Sequence, residues 1–248
     1  MRKDFFTVGN YVHVYNRGNH KQNIVEDDLD KWRFLACLRF FNDARVEPRV
    51  LHYIFVEQKT AKRLNLFDSG AFDWPKSWPA QDPLVKIVSY CLMPNHYHLL
   101  LQEIRPGGVS SFMHKCGTGF TGYYNSRHHE NGSLFQGAYK AKCITSEAYL
   151  QYVDAYIQIL NPLELLPDHN SISVEKSIKS IIAYPFSGFG ESIGKRDFHI
   201  TDRKETEKTF GLPKTESDHI EIMKRLGNGK AGKILPSEIL FDHASKLK

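Results

Sequence analysis

Residues 84–102 read LVKIVSYCLMPNHYHLLLQ, and the prediction of the fold starts from this segment. Two apolar runs, residues 84–93 and 96–102, lie on either side of the dipeptide Pro94-Asn95. Proline and asparagine favour tight turns, and the flanking runs have the length and apolar character of strands. The stretch therefore predicts a β-hairpin.

The segments around the hairpin predict further strands and helices. Residues 9–16 alternate tyrosine or valine with polar residues, which is typical of a strand. Residues 26–42 repeat apolar side chains every three or four positions behind three acidic residues, which predicts a helix. By the same criteria we expect a helix over residues 108–127, a strand over 135–144 and a helix over 146–161. Either Thr145 or Ser146 is the expected N-cap of this last helix. This order predicts an α+β fold, in which helices pack on one face of an antiparallel sheet.

The remaining segments are less regular. Residues 46–82 contain a short strand pattern near 50–57 and then the sequence DWPKSWP, so we interpret them as an insertion. The main domain is expected over residues 1–190. Residues 191–248 are charged and weakly patterned, which predicts a peripheral extension that is helical or partly disordered.

The composition excludes several classes of protein. The 248 residues are 41% hydrophobic and 25% charged, and no apolar run approaches the roughly 20 residues that a membrane span needs. Together with an N-terminus that lacks a signal-peptide core, this predicts a cytoplasmic protein without a membrane partner. The four cysteines form no CxxC pair, which argues against a disulfide framework and a zinc ribbon. The net charge of +5 is compatible with a polyanionic partner.

His96 and His98 are the first candidates for chemistry. Residues two apart on a strand point to the same face, so these two imidazoles project together and could bind a divalent cation. Two neighbouring histidines on a solvent face are also common without any function. The pair alone leaves both interpretations open.

Tyr149, Tyr152 and Tyr156 are spaced three and four apart and share one helix face. Such a stripe usually packs into the core with its hydroxyls at the rim. Alternatively, one of these tyrosines is a nucleophile. A phenol with an ordinary pKa near 10 attacks poorly at neutral pH, but a nearby divalent metal can polarise the phosphate that it attacks.

Five motifs in order along residues 9–190 resemble one known family. They read YVHVYNRGN (11–19), CLMPNHYHL (91–99), GSLFQGAY (132–139), YIQILNP (156–162) and YPFS (184–187). Together they resemble the single-tyrosine transposases with a His-hydrophobic-His motif. This insertion-sequence family includes transposases associated with repetitive extragenic palindromes (REP).

The resemblance implies a ferredoxin-like catalytic domain acting on single-stranded DNA with a hairpin. His96, His98 and Asn161 would hold Mg²⁺ or Mn²⁺, and Tyr156 would attack phosphorus. The products would be a 5′-phosphotyrosine and a free 3′-hydroxyl, so that a second DNA end can be joined. Cleavage within one chain and cleavage across a homodimer both stay open.

One spacing departs from the family pattern. Relatives usually have four residues from the tyrosine to the amide ligand, whereas Tyr156 and Asn161 are five apart. On a regular helix Asn161 would lie roughly 140° around the axis from Tyr156. A π-bulge or a tightened last turn before Pro162 would restore the alignment. Otherwise Gln158 is also on the wrong face, and the third metal ligand is either missing or supplied from elsewhere. Tyr152, one turn earlier, is the reserve candidate for the nucleophile.

DNA binding requires cations and stacking groups. The basic candidates are Arg17, Lys115, Arg127, Lys140 and Lys142. The glycines of segment 117–122 would either let DNA approach the backbone or allow a close helix crossing. Two other functions remain: a noncatalytic nucleic-acid-binding protein of the same fold, and a phosphodiesterase that uses activated water while Tyr156 is a core residue.

Overall fold

A computed structural model describes residues 6–48, 72–166 and 173–225 of the chain. Its centre is a four-stranded sheet in the order β2-β3-β1-β4, in which every neighbouring pair is antiparallel. The strands are β1 (Tyr11–Arg17), β2 (Val85–Leu92), β3 (His96–Glu103) and β4 (Lys140–Ile144). Helix α1 (Asp28–Phe40) connects β1 to β2, and helix α2 (Gly108–His128) connects β3 to β4. The βαββαβ order is that of a ferredoxin-like fold, so the predicted α+β class and antiparallel sheet are confirmed.

Local sequence signals explain where the first helices begin and how they cross. The carboxylate of Asp27 accepts a hydrogen bond from the backbone N–H of Asp30 and caps the N-terminus of α1. Within α2, a Cβ added to Gly119 would lie 2.4 Å from a ring atom of Phe41, so this glycine permits a close helix crossing. An added Cβ at Gly117 or Gly122 would meet nothing within 4 Å. Only the middle glycine of the predicted stretch is therefore required by the crossing.

The two faces of the sheet are covered by different helices. The side chains of Val12, Val14, Leu99 and Leu101 pack with α1 and α2 in the main core. The opposite face, which holds Leu100, is covered by helix α3 (Glu147–Ala155) and the π-helical turn Tyr156–Leu160. The expectation that the helices pack on one face is correct for α1 and α2 and wrong for the helix after β4. Strands β1 and β3 have apolar side chains on both faces, so the second face also needs a cover.

The C-terminal segment continues from this second layer. It comprises the helices α4 (Asn161–Leu163), α5 (Val174–Ala183), α6 (Phe189–Ser192), α7 (Lys204–Phe210) and α8 (Glu216–Arg225). Phe198 and Ile200 are buried in the main core, and the ring of Phe210 packs edge-on against Tyr11 of β1 at 5.2 Å. The segment between α6 and α8 therefore packs directly against the sheet domain.

Several predictions concern residues outside this description. The short strand near 50–57, most of the insertion 46–82 and the end of the extension lie outside the described residues. In the described end of the insertion, Phe72 is buried and packs on Trp32 of α1 with ring centroids 6.0 Å apart. The division into residues 1–190 and 191–248 stays a prediction. No helix within the described ranges is long and apolar enough to cross a membrane.

Candidate active site

The sheet face under α3 presents three histidines. His96 and His98 lie two apart on β3 with their ring centroids 5.2 Å apart, and His98 is 1% exposed. His13 of β1 lies beside them, and its Nε2 is 2.9 Å from the Nδ1 of His98. Burial, assisted by the positive charge of Lys142, lowers the pKa of His13 to about 3, so this imidazole is neutral at physiological pH.

The helix over this face changes its geometry at Tyr156. The side chain of Ser146 accepts a hydrogen bond from the backbone N–H of Tyr149 and caps α3, as the sequence predicts. Beyond α3, the backbone N–H of Asn161 donates to the carbonyl of Tyr156, which is an i to i+5 bond of a π-helix. This wider turn brings residues five apart one above the other. It is the π-bulge that would offset the five-residue spacing from Tyr156 to Asn161.

Tyr156 packs directly on the histidines. Its side chain is 4% exposed, and its ring lies 5.2 Å from the ring of His98 and 6.2 Å from that of His13. Tyr152 stacks on Tyr156 with ring centroids 6.4 Å apart. Burial, with a smaller contribution from Tyr149, raises the pKa of Tyr152 to about 12. Of these two tyrosines, Tyr156 is the one in ring contact with His98.

Asn161 is completely buried. Its side-chain Oδ1 and Nδ2 have no hydrogen-bond partner among the residues that the structure describes. Leaving a buried amide unsatisfied costs on the order of 1–3 kcal/mol, so such a group in a fold is a candidate ligand for something that binds there. The Gln158 amide is engaged through its nitrogen alone, since Nε2 donates to Asp154 at 2.8 Å while the buried Oε1 also has no hydrogen-bond partner among the described residues.

The metal-binding capacity of the site depends on this amide. No cluster of three or more histidine, cysteine or acidic side chains in the described ranges could hold a metal. Two imidazoles and one amide oxygen suit a divalent cation such as Mg²⁺ or Mn²⁺ only if phosphate oxygens or water complete the coordination. The residue types fit the cation that the family resemblance implies.

Three of the predicted DNA-binding cations share the face of the histidines. Arg17 is paired with His96 across β1 and β3, while Lys142 and Lys140 of β4 are paired with His13 and Tyr15. Side chains of residues paired in an antiparallel register lie on the same face. Arg17, Lys140 and Lys142 are therefore brought together with the histidines.

Lys115 and Arg127 are not brought to this face. The ammonium of Lys115 donates to the carbonyls of Asp43, Ala44 and Val46, which follow α1. The guanidinium of Arg127 pairs with Asp27 and with the fully buried Asp30 of α1. Arg127 therefore stabilises the contact of α2 with α1, and Lys115 stabilises the contact of α2 with the segment that follows α1.

Sequence reasoning missed His13 and Asn95. His13 lies between Tyr11 and Tyr15 in the alternating pattern of β1, so the pattern places it on one face with them. Only the strand order β3-β1 shows that this face continues into that of His98. Asn95 directly precedes His96 in the hairpin turn, and its Oδ1 lies 2.7 Å from the Nδ1 of His96.

Comparisons with known proteins agree with the motifs. Residues 52–159 match the family model described as "Transposase IS200 like". No curated protein matches the chain. A solved structure of a REP-associated tyrosine transposase bound to a REP hairpin is similar at 15% sequence identity and a TM-score of 0.44, covering 79% of this chain and 85% of that chain. The family match includes both histidines of β3 and Tyr156, and it confirms the resemblance to the IS200-like transposases that the motifs indicate.

Proposed function

We propose that the chain is a metal-dependent endonuclease and strand transferase of single-stranded DNA. The observation on which the proposal rests is the packing of the Tyr156 ring against His98 in one buried site. Reacting groups must be held together before in-line attack, and this packing places the candidate nucleophile beside the candidate metal ligand. The match to the IS200-like transposase family supports DNA as the substrate.

In the proposed reaction, the Tyr156 oxygen forms a bond to phosphorus while the bond from phosphorus to the 3′-oxygen breaks. The phenol loses its proton, and the departing 3′-oxygen gains one. The DNA is left as a 5′-phosphotyrosine with a free 3′-hydroxyl on the other fragment. Attack by a second 3′-hydroxyl on the phosphotyrosine reverses these steps and joins a new end.

His96, His98 and the side-chain oxygen of Asn161 would hold Mg²⁺ or Mn²⁺. When bound, such a cation polarises phosphoryl oxygens and stabilises the charge that develops on them. The protein residues orient the phenol and exclude water from the buried side of the site. The positive charges of Arg17, Lys140 and Lys142 on the same face would bind the DNA backbone.

A covalent conjugate distinguishes this function from its alternatives. The purified chain would be incubated with Mn²⁺ and labelled single-stranded hairpin DNA, then analysed on a denaturing gel for a labelled protein band. We expect the band in the wild type and in Tyr152→Phe, and its absence in Tyr156→Phe. Tyr152→Phe is a matched control, because it removes one hydroxyl from another buried ring on the same helix face.

The outcomes separate three functions. Hairpin binding without cleavage would indicate a noncatalytic DNA-binding protein. Cleavage that persists in Tyr156→Phe without a conjugate would indicate a phosphodiesterase that uses water. A conjugate that disappears only in Tyr152→Phe would identify Tyr152, one helical turn earlier, as the nucleophile.

A further inference from the structure

The contact between His13 and His98 is a buried hydrogen bond between two imidazoles. The nitrogens are 2.9 Å apart, the rings are nearly parallel at 25°, and the residues are 5% and 1% exposed. A neutral imidazole has one N–H and one lone-pair nitrogen, so one ring donates here and the other accepts. The direction of this bond fixes which nitrogen of His98 retains a lone pair.

The neighbouring ligand candidate shows how such a direction is set. The Asn95 amide donates from Nδ2 to the carbonyl of Lys21 at 3.3 Å, so its Oδ1 is the atom that faces His96. An amide oxygen only accepts, and the Nδ1 of His96 therefore carries the proton. The Nε2 of His96 is then the nitrogen with the lone pair.

We infer that His13 is a positioning residue that accepts the Nδ1–H of His98 and thereby presents the Nε2 of His98 to a divalent cation. This inference rests on the proposed metal-dependent function. It gives His96 and His98 the same tautomer, with Asn95 and His13 as their respective acceptors. Metal-binding histidines generally have such an acceptor on their other nitrogen, most often a carboxylate or a carbonyl.

The position of His13 supports a role in orienting the candidate ligand His98 rather than in binding the cation itself. Its Nε2 is occupied by the bond to His98. Its ring is also farther from Tyr156 than the His98 ring is, at 6.2 Å against 5.2 Å. A neutral imidazole acceptor fixes the tautomer without adding a negative charge beside a phosphate-binding site, whereas a carboxylate would repel the DNA backbone.

The first test measures binding of Mn²⁺ alone to the full-length chain by electron paramagnetic resonance. His13→Phe keeps an aromatic ring but removes the acceptor, and we expect it to weaken Mn²⁺ binding by roughly 10- to 100-fold. His13→Gln restores an acceptor oxygen and should bind Mn²⁺ close to the wild-type affinity. Tyr11→Phe, on the same strand and face, removes a hydroxyl that bonds to Thr206 and should leave the affinity unchanged.

The second test needs no metal and no variant. The ¹⁵N shifts of the imidazole nitrogens in the metal-free wild type report the tautomer of His98, and we expect the Nδ1–H form. A predominant Nε2–H form would overturn the inference even if both His13 variants failed to fold. Wild-type Mn²⁺ affinity retained in a folded His13→Phe protein would overturn it while leaving the proposed function intact. A wild type that binds no Mn²⁺ would refute both.

Discussion

Replacement of Arg203 by methionine should destabilise the whole fold, because this residue neutralises a buried carboxylate beside the candidate nucleophile. The Arg203 side chain is 5% exposed and pairs at 3.4 Å with Asp154, which is completely buried. Removing one partner of a buried ion pair leaves the other charge uncompensated, at a cost of about 3–5 kcal/mol. For a chain of this size, that cost corresponds to a fall in melting temperature of about 6–20 °C. Thermal unfolding followed by circular dichroism measures it.

The chain offers a matched control and a rescue. Lys86 of β2 and Glu205 of α7 form a second ion pair, but their side chains are 25% and 72% exposed, so Lys86→Met should cost less than about 1 kcal/mol. Arg203 also pairs with Glu207, whose side chain is 15% exposed, so Arg203→Met leaves two carboxylates without this partner. Adding Asp154→Asn removes the completely buried one of these two charges and retains an oxygen that can accept from Gln158. The double variant should therefore recover most of the lost melting temperature. If Arg203→Met is no more harmful than Lys86→Met, the buried pair does not stabilise the fold and this reasoning is wrong.

Two further perturbations test the packing and the buried imidazole. Gly119→Ala should lower the free energy of unfolding in urea by about 1–3 kcal/mol, since the new methyl group would collide with the buried Phe41 ring. Gly117→Ala in the same helix should instead raise it by up to about 1 kcal/mol, and equal effects of the two changes would contradict the proposed crossing. Because the folded-state pKa of His13 is about 3 and its ordinary value is 6.5, the unfolded chain binds a proton that the folded chain lacks between these pH values. The free energy of unfolding should therefore fall as the pH drops from 6.5 towards 3, by up to about 1.4 kcal/mol per pH unit. In His13→Gln the free energy of unfolding should depend less steeply on pH over this range. An unchanged pH dependence in that variant would contradict the assignment.

The elements with strong local signals could be predicted from the sequence. The hairpin turns at Pro94-Asn95 and β3 begins at His96, because a short turn between two apolar runs leaves little choice of register. The acidic residues before α1 include its actual N-cap, Asp27, and Ser146 caps α3. These features depend on neighbours in the sequence, which is why periodicity and capping rules find them.

Contacts between distant segments could not be predicted in this way. The sequence indicates that Lys115 is basic, but the three carbonyls that it binds are more than 60 positions away and face it only after α1 and α2 have packed. The side of the sheet on which α3 lies also depends on which apolar face remains uncovered. The bond from His13 to His98 needs the strand order, because these residues are 85 positions apart.

The π-helical turn connects the candidate site to the C-terminal extension. An i to i+5 bond between Tyr156 and Asn161 is rarer than the α-helical bond, so surrounding contacts must favour it over a regular turn. On one side, the Tyr156 ring packs against His98 of the sheet. On the other, Gln158 within the turn is hydrogen-bonded to Asp154, and Asp154 is paired with Arg203 of the extension. The turn is thus fixed between the sheet and the extension, and we conclude that the segment around Arg203 is part of the scaffold that holds the π-helical turn in place.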